Sequence, residues 1–243
     1  MSYTTNIEPL KEHFVNKDVL SVDDIFGFYK IDEPEIPRTT VNWRIYNFAH
    51  NGQLQRVGRG LYKIGKTTTF KPELSNKTEK IAKLVKKNFP YINFCVWELS
   101  DINRFTQHLI NFNIYFVDVE RDAVDAVYYN LKENNSNVMN IKNIFDDLSD
   151  WPNYIFVRPL ISHAPLHEIN NLPTITLEKI LVDLFSDKEF VSFQGSEIYS
   201  IFSNAIELYT VNESALLRYA SRKKKKDKIQ DLLNTIKKQY NFL

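Results

Sequence analysis

The chain has 243 residues, 43% apolar and 14% aromatic, with a formal net charge of +1 and a pI near 7.7. That length suits one large domain or two smaller ones with real cores, and the near-neutral balance excludes a protein that coats nucleic acid by overall charge. The single cysteine, Cys95, excludes a disulfide framework and a cysteine-built zinc site. No signal-peptide pattern and no run approaching ~20 apolar residues is present, so a cytoplasmic protein without membrane contact is expected.

Residues 4–16 read as a short amphipathic helix with Ile7, Leu10, Phe14 and Val15 on one side. Ser21 is a good N-cap, with Asp24 in an acidic first turn, and Val22, Ile25, Phe26 and Tyr29 keep helical spacing to about residue 31. Pro34 and Pro37 turn the chain. A second helix starts at Thr39 or Thr40 and runs to about residue 51. Val41, Ile45, Phe48 and Ala49 share its inner face, Thr39, Thr40, Trp43 and Asn47 its outer face, and Arg44 its flank. Gly52 is placed to stop it. Two β-prone runs, 54–57 and 61–64, surround Gly58-Arg59-Gly60, which is hairpin chemistry. Helix, turn, helix, hairpin is the order of a winged helix-turn-helix, over residues 1–68.

Residues 65–76 are polar and non-periodic and read as a linker. From 77 to 243 a mixed α/β domain with a helical end is expected. Residues 77–88 form a basic helix with Ile81, Leu84 and Val85 inward. Strand 92–99 follows, then a helix capped by Ser100 and running to His108, strand 113–120, helix 121–133 and strand 154–160. From Thr176 the pattern is helical to the end. The fold class is α+β: an amino-terminal winged helix-turn-helix, then a mixed α/β domain with a helical carboxy terminus.

Between Ile36 and Pro72 lie seven cations and no carboxylate: Arg38, Arg44, Arg56, Arg59, Lys63, Lys66 and Lys71. On a helix-turn-helix the start and outer face of the second helix meet base edges, which assigns Arg38, Thr39, Thr40, Trp43, Arg44 and Asn47 to that role. Arg56, Arg59 and Lys63 on the wing would meet phosphates. Trp43 also suits packing against protein. Double-stranded DNA is the expected partner, bound by one protomer on each of two half-sites.

The block 37–66, PRTTVNWRIYNFAHNGQLQRVGRGLYKIGK, is similar to the winged helix of AbiEi-type antitoxins of type IV, or abortive-infection, toxin–antitoxin systems. The likeness is carried by Gly52, Leu54, Arg56, Gly58, Arg59, Gly60, Leu61 and Tyr62. Residues 172–184, LPTITLEKILVDL, and 214–224, SALLRYASRKK, also resemble that family. The resemblance implies a transcriptional repressor of its own operon, active in phage defence. Its carboxy-terminal domain would counter a nucleotidyltransferase-like toxin, with or without direct contact. It also implies no catalysis and no cofactor.

Asp118 and Glu120 alternate on a strand, as metal-holding carboxylates do, which keeps open a metal-dependent nucleic-acid-processing enzyme. The upstream stretch DINRFTQHL lacks the glycine such an enzyme needs, so an exposed strand face is the plainer account. His163 and His167 are four apart, but Pro165 lies between them, so no helical metal pair forms and no metal site is expected. His13, His50 and His108 are isolated, and Cys95 sits inside an apolar strand as core. The run 222–226, RKKKK, reads as opening the last helix with a solvated face. With Arg218 it is also a candidate second phosphate-contacting patch: Arg218, Arg222, Lys223, Lys224 and Lys225. A winged helix that binds protein instead of DNA is the remaining alternative.

Overall fold

A computed structural model describes residues 6–17, 19–50, 53–58, 60–65, 69–107, 109–140 and 153–240. The fold is mixed α+β, with helices predominating over small sheets. Two compact units divide the chain. One is Met1–Thr69 with Ile206–Val211 and Leu233–Leu243; the other is Phe70–Ala205 with Asn212–Leu232. The break falls inside the polar stretch 65–76, and two carboxy-terminal segments cluster with the first unit. No helix among the described residues is long and apolar enough to cross a membrane.

The first unit runs α1 (Glu8–His13), β1 (Leu20–Ser21), α2 (Val22–Asp32), α3 (Arg38–His50), β2 (Leu54–Gly58) and β3 (Leu61–Ile64). The first helix is shorter than its periodicity suggests: Phe14 is its C-cap, and Val15 is 75% exposed instead of packed inward. α2 starts as its capping residues require. Ser21 Oγ accepts from Asp24 N at 3.0 Å, and Ser21 N donates to the Asp24 carboxylate at 2.7 Å. Its neighbour α3 buries Val41, Ile45 and Phe48, as spaced, in a core with Ile7, Leu10, Leu20, Ile25, Ile36 and Leu54. The strands form an antiparallel sheet in the order β1-β3-β2. Gly60 turns the hairpin at φ 73, a left-handed conformation that glycine adopts without strain. Buried Gln55 on β2 donates to the carbonyls of Tyr209 at 2.8 Å and Ile206 at 3.3 Å, which ties the 206–211 segment into this unit. Gly52, Arg59 and Lys66 lie outside the described residues.

The second unit is built on α4 (Asn76–Asn88), β4 (Phe94–Glu98), β5 (Tyr115–Val119), α5 (Val124–Asn134), β6 (Val138–Asn140) and β7 (Ile155–Pro159). A hairpin follows, β8 (Leu166–Ile169) and β9 (Leu172–Ile175), then α6 (Leu177–Ser186), α7 (Ser196–Leu208), α8 (Glu213–Arg222) and α9 (Lys226–Tyr240). α7 and α9 reach into the segments that cluster with the first unit. The sheet order is β4-β5-β7-β6; β4 is antiparallel to β5, while β5, β7 and β6 are parallel.

Side chains alternate across this sheet. Tyr115, Val117, Val119, Ile155 and Val157 face α4 and α5, where Ile81, Ala82, Val85, Val124, Val127 and Leu131 close a core. The opposite face carries Trp97, Phe116 and Phe156 in cross-strand register, stacked at 4.5 and 5.9 Å between centroids. Beside that row lies a second one: Cys95, Asp118 and Arg158.

Several local expectations change. The helix foreseen from Ser100 is a 3-10 turn, Leu99–Arg104, capped by Glu98 and Asp101 in a reciprocal box; His108 lies outside the described residues. β6 and the β8-β9 hairpin have no counterpart in the sequence reading. The hairpin turn is Asn170-Asn171, at φ 53 and 60, the paired left-handed geometry of a type I′ turn.

Candidate functional site

The outer surface of α3 was expected to be the cationic edge of the first unit. Thr39, Trp43 and Tyr46 are exposed there, with Thr40 and Asn47 half-buried. Trp43 is 56% and Tyr46 is 64% exposed. The two arginines of this helix lie beside that surface, not on it. At 100° per residue they fall on either flank of the buried Val41–Ile45–Phe48 stripe, and both are drawn toward α2. Arg38 pairs with Asp23 at 2.5 Å and lies 5.3 Å over the Phe26 ring. Arg44 makes a two-point contact with Glu33, at 2.9 and 3.3 Å, and stacks 4.5 Å over Tyr29. Its side chain is only 11% exposed. Arg44 therefore braces the turn between α2 and α3, whereas Arg38, more than half exposed, is held by a weak surface pair.

The hairpin also divides its cations. Gln55 faces Lys63 across β2 and β3, and Arg56 faces Tyr62, so Arg56 and Lys63 leave on opposite sides. Arg56 shares the side of Leu54, Tyr62 and Ile64, which pack with the helices. Among the described residues, a stretch free of carboxylates in sequence is therefore not a continuous cationic ledge in space. Arg59 lies outside the described residues.

The run 222–226 needs a similar correction. It does not open a helix. α8 ends at Arg222, and Lys224 turns left-handed at φ 57. Lys225 N donates to Ala220 O at 2.9 Å and Lys224 N to Ser221 O at 3.1 Å, closing the helix end as a Schellman turn. Lys223 leaves the patch altogether. Its side chain is 8% exposed and its ammonium lies 2.6 Å from Asp183 and 2.5 Å from Asp187. Arg218, Arg222 and Lys224 stay exposed and Lys225 is half-buried.

Lys223 is one member of a charge cluster on the aromatic face of the sheet. β5 brings Asp118, β7 brings Arg158, and α6 brings Lys179 and Asp183 one turn apart. Asp187 and Glu189 follow α6. Arg158 binds Asp118 through Nε and Nη2, Asp183 at 2.8 Å, Glu189 at 2.9 Å and Asp187 at 3.3 Å. Lys179 bridges Asp118 and Asp183 at 2.5 and 2.7 Å. Tyr219 donates to Asp183 at 2.8 Å, and Trp97 Nε1 donates to Asp118 at 3.2 Å. Rings of Trp97, Phe116 and Phe190 surround the Arg158 guanidinium at 4.8–5.5 Å. Three cations thus face four carboxylates. Burial alone would neutralise the central groups, but the opposite charges outweigh it. Lys179, Lys223 and Arg158 hold the Asp183 carboxyl well below its ordinary range. Asp118 and Asp183 hold Arg158 and Lys179 charged. Burial and the charge of Asp183 push Asp187 up to about 6.

The Asp118–Glu120 pair does not converge. β5 is buried along its length, and Asp118 is 1% exposed, so this is no solvated strand face. Glu120 lies past the strand end, where its carboxylate accepts hydrogen bonds from Asn93. Cys95 is core as expected, with burial pushing its thiol pKa well up. His163 sits at φ 62 in the turn after β7 and His167 lies on β8, with its Nε2 buried and unpartnered among the described residues. Among the described residues no three histidines, cysteines or carboxylates gather as metal ligands.

The carboxylates of the cluster were visible in sequence only as scattered acids. The Lys179–Asp183 spacing on an apolar helix was the one available signal, since such positions face the core. No curated protein matches the chain. A family model matches residues 40–239, from early in α3 to the end of α9, and the chain belongs to that family, a family of unknown function (DUF6577).

Proposed function

We propose that the first unit is a winged helix that binds duplex DNA through the outer face of α3, and that the protein is a non-enzymatic, antitoxin-type repressor of its own operon. The observation that carries the DNA reading is the layout of the unit. Its elements run α, β, α, α, β, β, with strand order β1-β3-β2. This leaves α3 with a carboxylate-free outer surface of Thr39, Asn42, Trp43, Tyr46 and Asn47. Asn47 suits an adenine edge and the threonines suit phosphate or methyl groups. Arg38 is available because a surface pair such as Arg38–Asp23 contributes only about 0–1 kcal/mol. The antitoxin role rests on the resemblance of blocks 37–66, 172–184 and 214–224.

A gel shift on the protein's own upstream region tests the DNA reading. Retardation should weaken steeply with salt. Asn47→Ala should reduce affinity by roughly 5–100-fold, corresponding to about 1–3 kcal/mol for a lost base contact. No retardation at low salt would remove the proposal. In that outcome Trp43 and Tyr46, two exposed aromatics on one helix face, favour docking of a protein partner.

A further inference from the structure

The sheet of the second unit has a switch point between β5 and β7. These neighbours are parallel. β5 continues into α5, which packs on the valine face through Val124, Val127 and Leu131. β7 continues through the hairpin to α6, whose Lys179 and Asp183 reach the other face at Asp118 and Arg158. Adjacent parallel strands whose continuations leave to opposite faces open a crevice beyond their carboxyl ends, where open α/β sheets bind ligands.

A cleft of about 810 Å³ occupies that place. Its volume is that of small-molecule sites, roughly 300–1,000 Å³. Its polar lining comprises Asn93 before β4, Glu120, Arg121 and Asp122 after β5, Ser162 and His163 after β7, and Arg222 of α8. The Glu120 carboxylate is already engaged by Asn93, at 3.1 Å from its backbone nitrogen and through its side-chain amide. Neither Arg121 nor Arg222 has an ion pair or hydrogen bond from its guanidinium to a described residue. The backbone at Arg222 is nevertheless held in place. The next residue, Lys223, is anchored in the buried carboxylates, and the left-handed Lys224 closes the helix end. His163 adopts a left-handed backbone uncommon for a residue with a side chain, a kind of strain that clusters at ligand sites. The carboxylates of Glu120 and Asp122 balance the two guanidinium groups in formal charge, and Glu120 is turned to Asn93, so it is the paired forks of Arg121 and Arg222, not a net charge, that suit one phosphate monoester. Leu160, Ile161 and Leu166 give the cleft an apolar wall.

We propose that this cleft binds a nucleoside monophosphate. Arg121 and Arg222 grip the phosphate by their planar forks, Asp122 accepts from a ligand hydroxyl, and the apolar wall takes the base. No residue of α3 lines this cleft, and the proposal does not depend on the DNA reading.

Calorimetric titration of the full chain with AMP, GMP, CMP and UMP tests it, with the matching nucleosides and inorganic phosphate as controls. At least one monophosphate should bind at least about tenfold more tightly than its nucleoside and than phosphate alone. Arg121→Ala and Arg222→Ala should each weaken that binding about tenfold or more, while Val15→Ala, at a 75% exposed position outside every proposed site, leaves it unchanged. Both arginines are exposed, so unchanged thermal midpoints would show that these variants fold. No binding of any monophosphate up to about 5 mM would overturn the proposal, because Kd would then exceed the ~1 mM scale of weak sites. So would equal affinity for inorganic phosphate, or binding that survives Arg121→Ala with Arg222→Ala.

Discussion

Replacing Lys179 by methionine should destabilise the second unit strongly, although methionine fits an apolar site. Lys179 is 1% exposed and its ammonium lies 2.5 Å from Asp118 and 2.7 Å from Asp183. In the wild type, three buried cations face four carboxylates; without Lys179, two would face four. Removing one partner of a buried charge group costs about 3–5 kcal/mol, because the groups left behind stay desolvated and unpaired. Arg158, Lys223 and Tyr219 remain near the two carboxylates, so the middle of that range, about 4 kcal/mol, is expected. With an m-value of about 2 kcal/mol/M, the urea midpoint at pH 8 should fall by about 2 M, followed by far-ultraviolet circular dichroism. Adding Asp118→Asn restores the excess of carboxylates to one, and the double variant should recover at least about 1.5 kcal/mol relative to the sum of the singles. The pH dependence has a defined sign. The folded carboxyls of Asp118 and Asp183 are held low, so their stabilisation is present above their ordinary value of 3.8 and lost as pH falls. Lys179→Met reduces that stabilisation, so the gap to wild type should narrow as pH falls below about 3.8. A Lys179→Met protein within about 1 kcal/mol of wild type at pH 8 would refute the reasoning, since no interdependent buried charge cluster loses a member that cheaply.

Two further outcomes follow from single residues. Burial, reinforced by Glu98, pushes the Asp101 carboxyl up to about 7. Its folded value exceeds the unfolded one, so its stabilisation is complete below 3.8 and lost as pH rises to 7, by up to about 1.4 kcal/mol per pH unit. Asp101→Asn should therefore flatten the fall in urea midpoint between pH 5 and 7 and exceed wild type at pH 8; an unchanged slope would contradict the assignment. Lys224→Gly removes the left-handed strain at the end of α8, at φ 57, and should raise stability by about 0.5–1 kcal/mol. A lower urea midpoint would show that the Lys224 side chain contributes more than its backbone conformation costs.

Local chemistry carried much of the fold. Ser21 with Asp24, Pro34 with Pro37, and the 3- and 4-residue spacing of Val41, Ile45 and Phe48 place α2, the turn and α3, because capping, lost donors and helical periodicity act within a few residues. Thr176 likewise starts α6 as its side chain predicts. What lies across space was hidden. The acid-free block 36–72 loses its uncontested charge because helix packing lays Asp23 beside Arg38 and Glu33 beside Arg44. Lys223 stands in a run that reads as solvated, yet a left-handed turn one residue later and two carboxylates from α6 and its end bury it. Asp118 and Arg158 are 40 residues apart and become partners only when two strands pair in parallel. Sequence alone determined where α2, α3 and α6 begin, to within a residue or two, and which faces of α2 and α3 are apolar, since those depend on neighbours along the chain. Charge pairing and the cleft beyond β5 and β7 were decided by tertiary structure, since they depend on which distant backbones the core brings together.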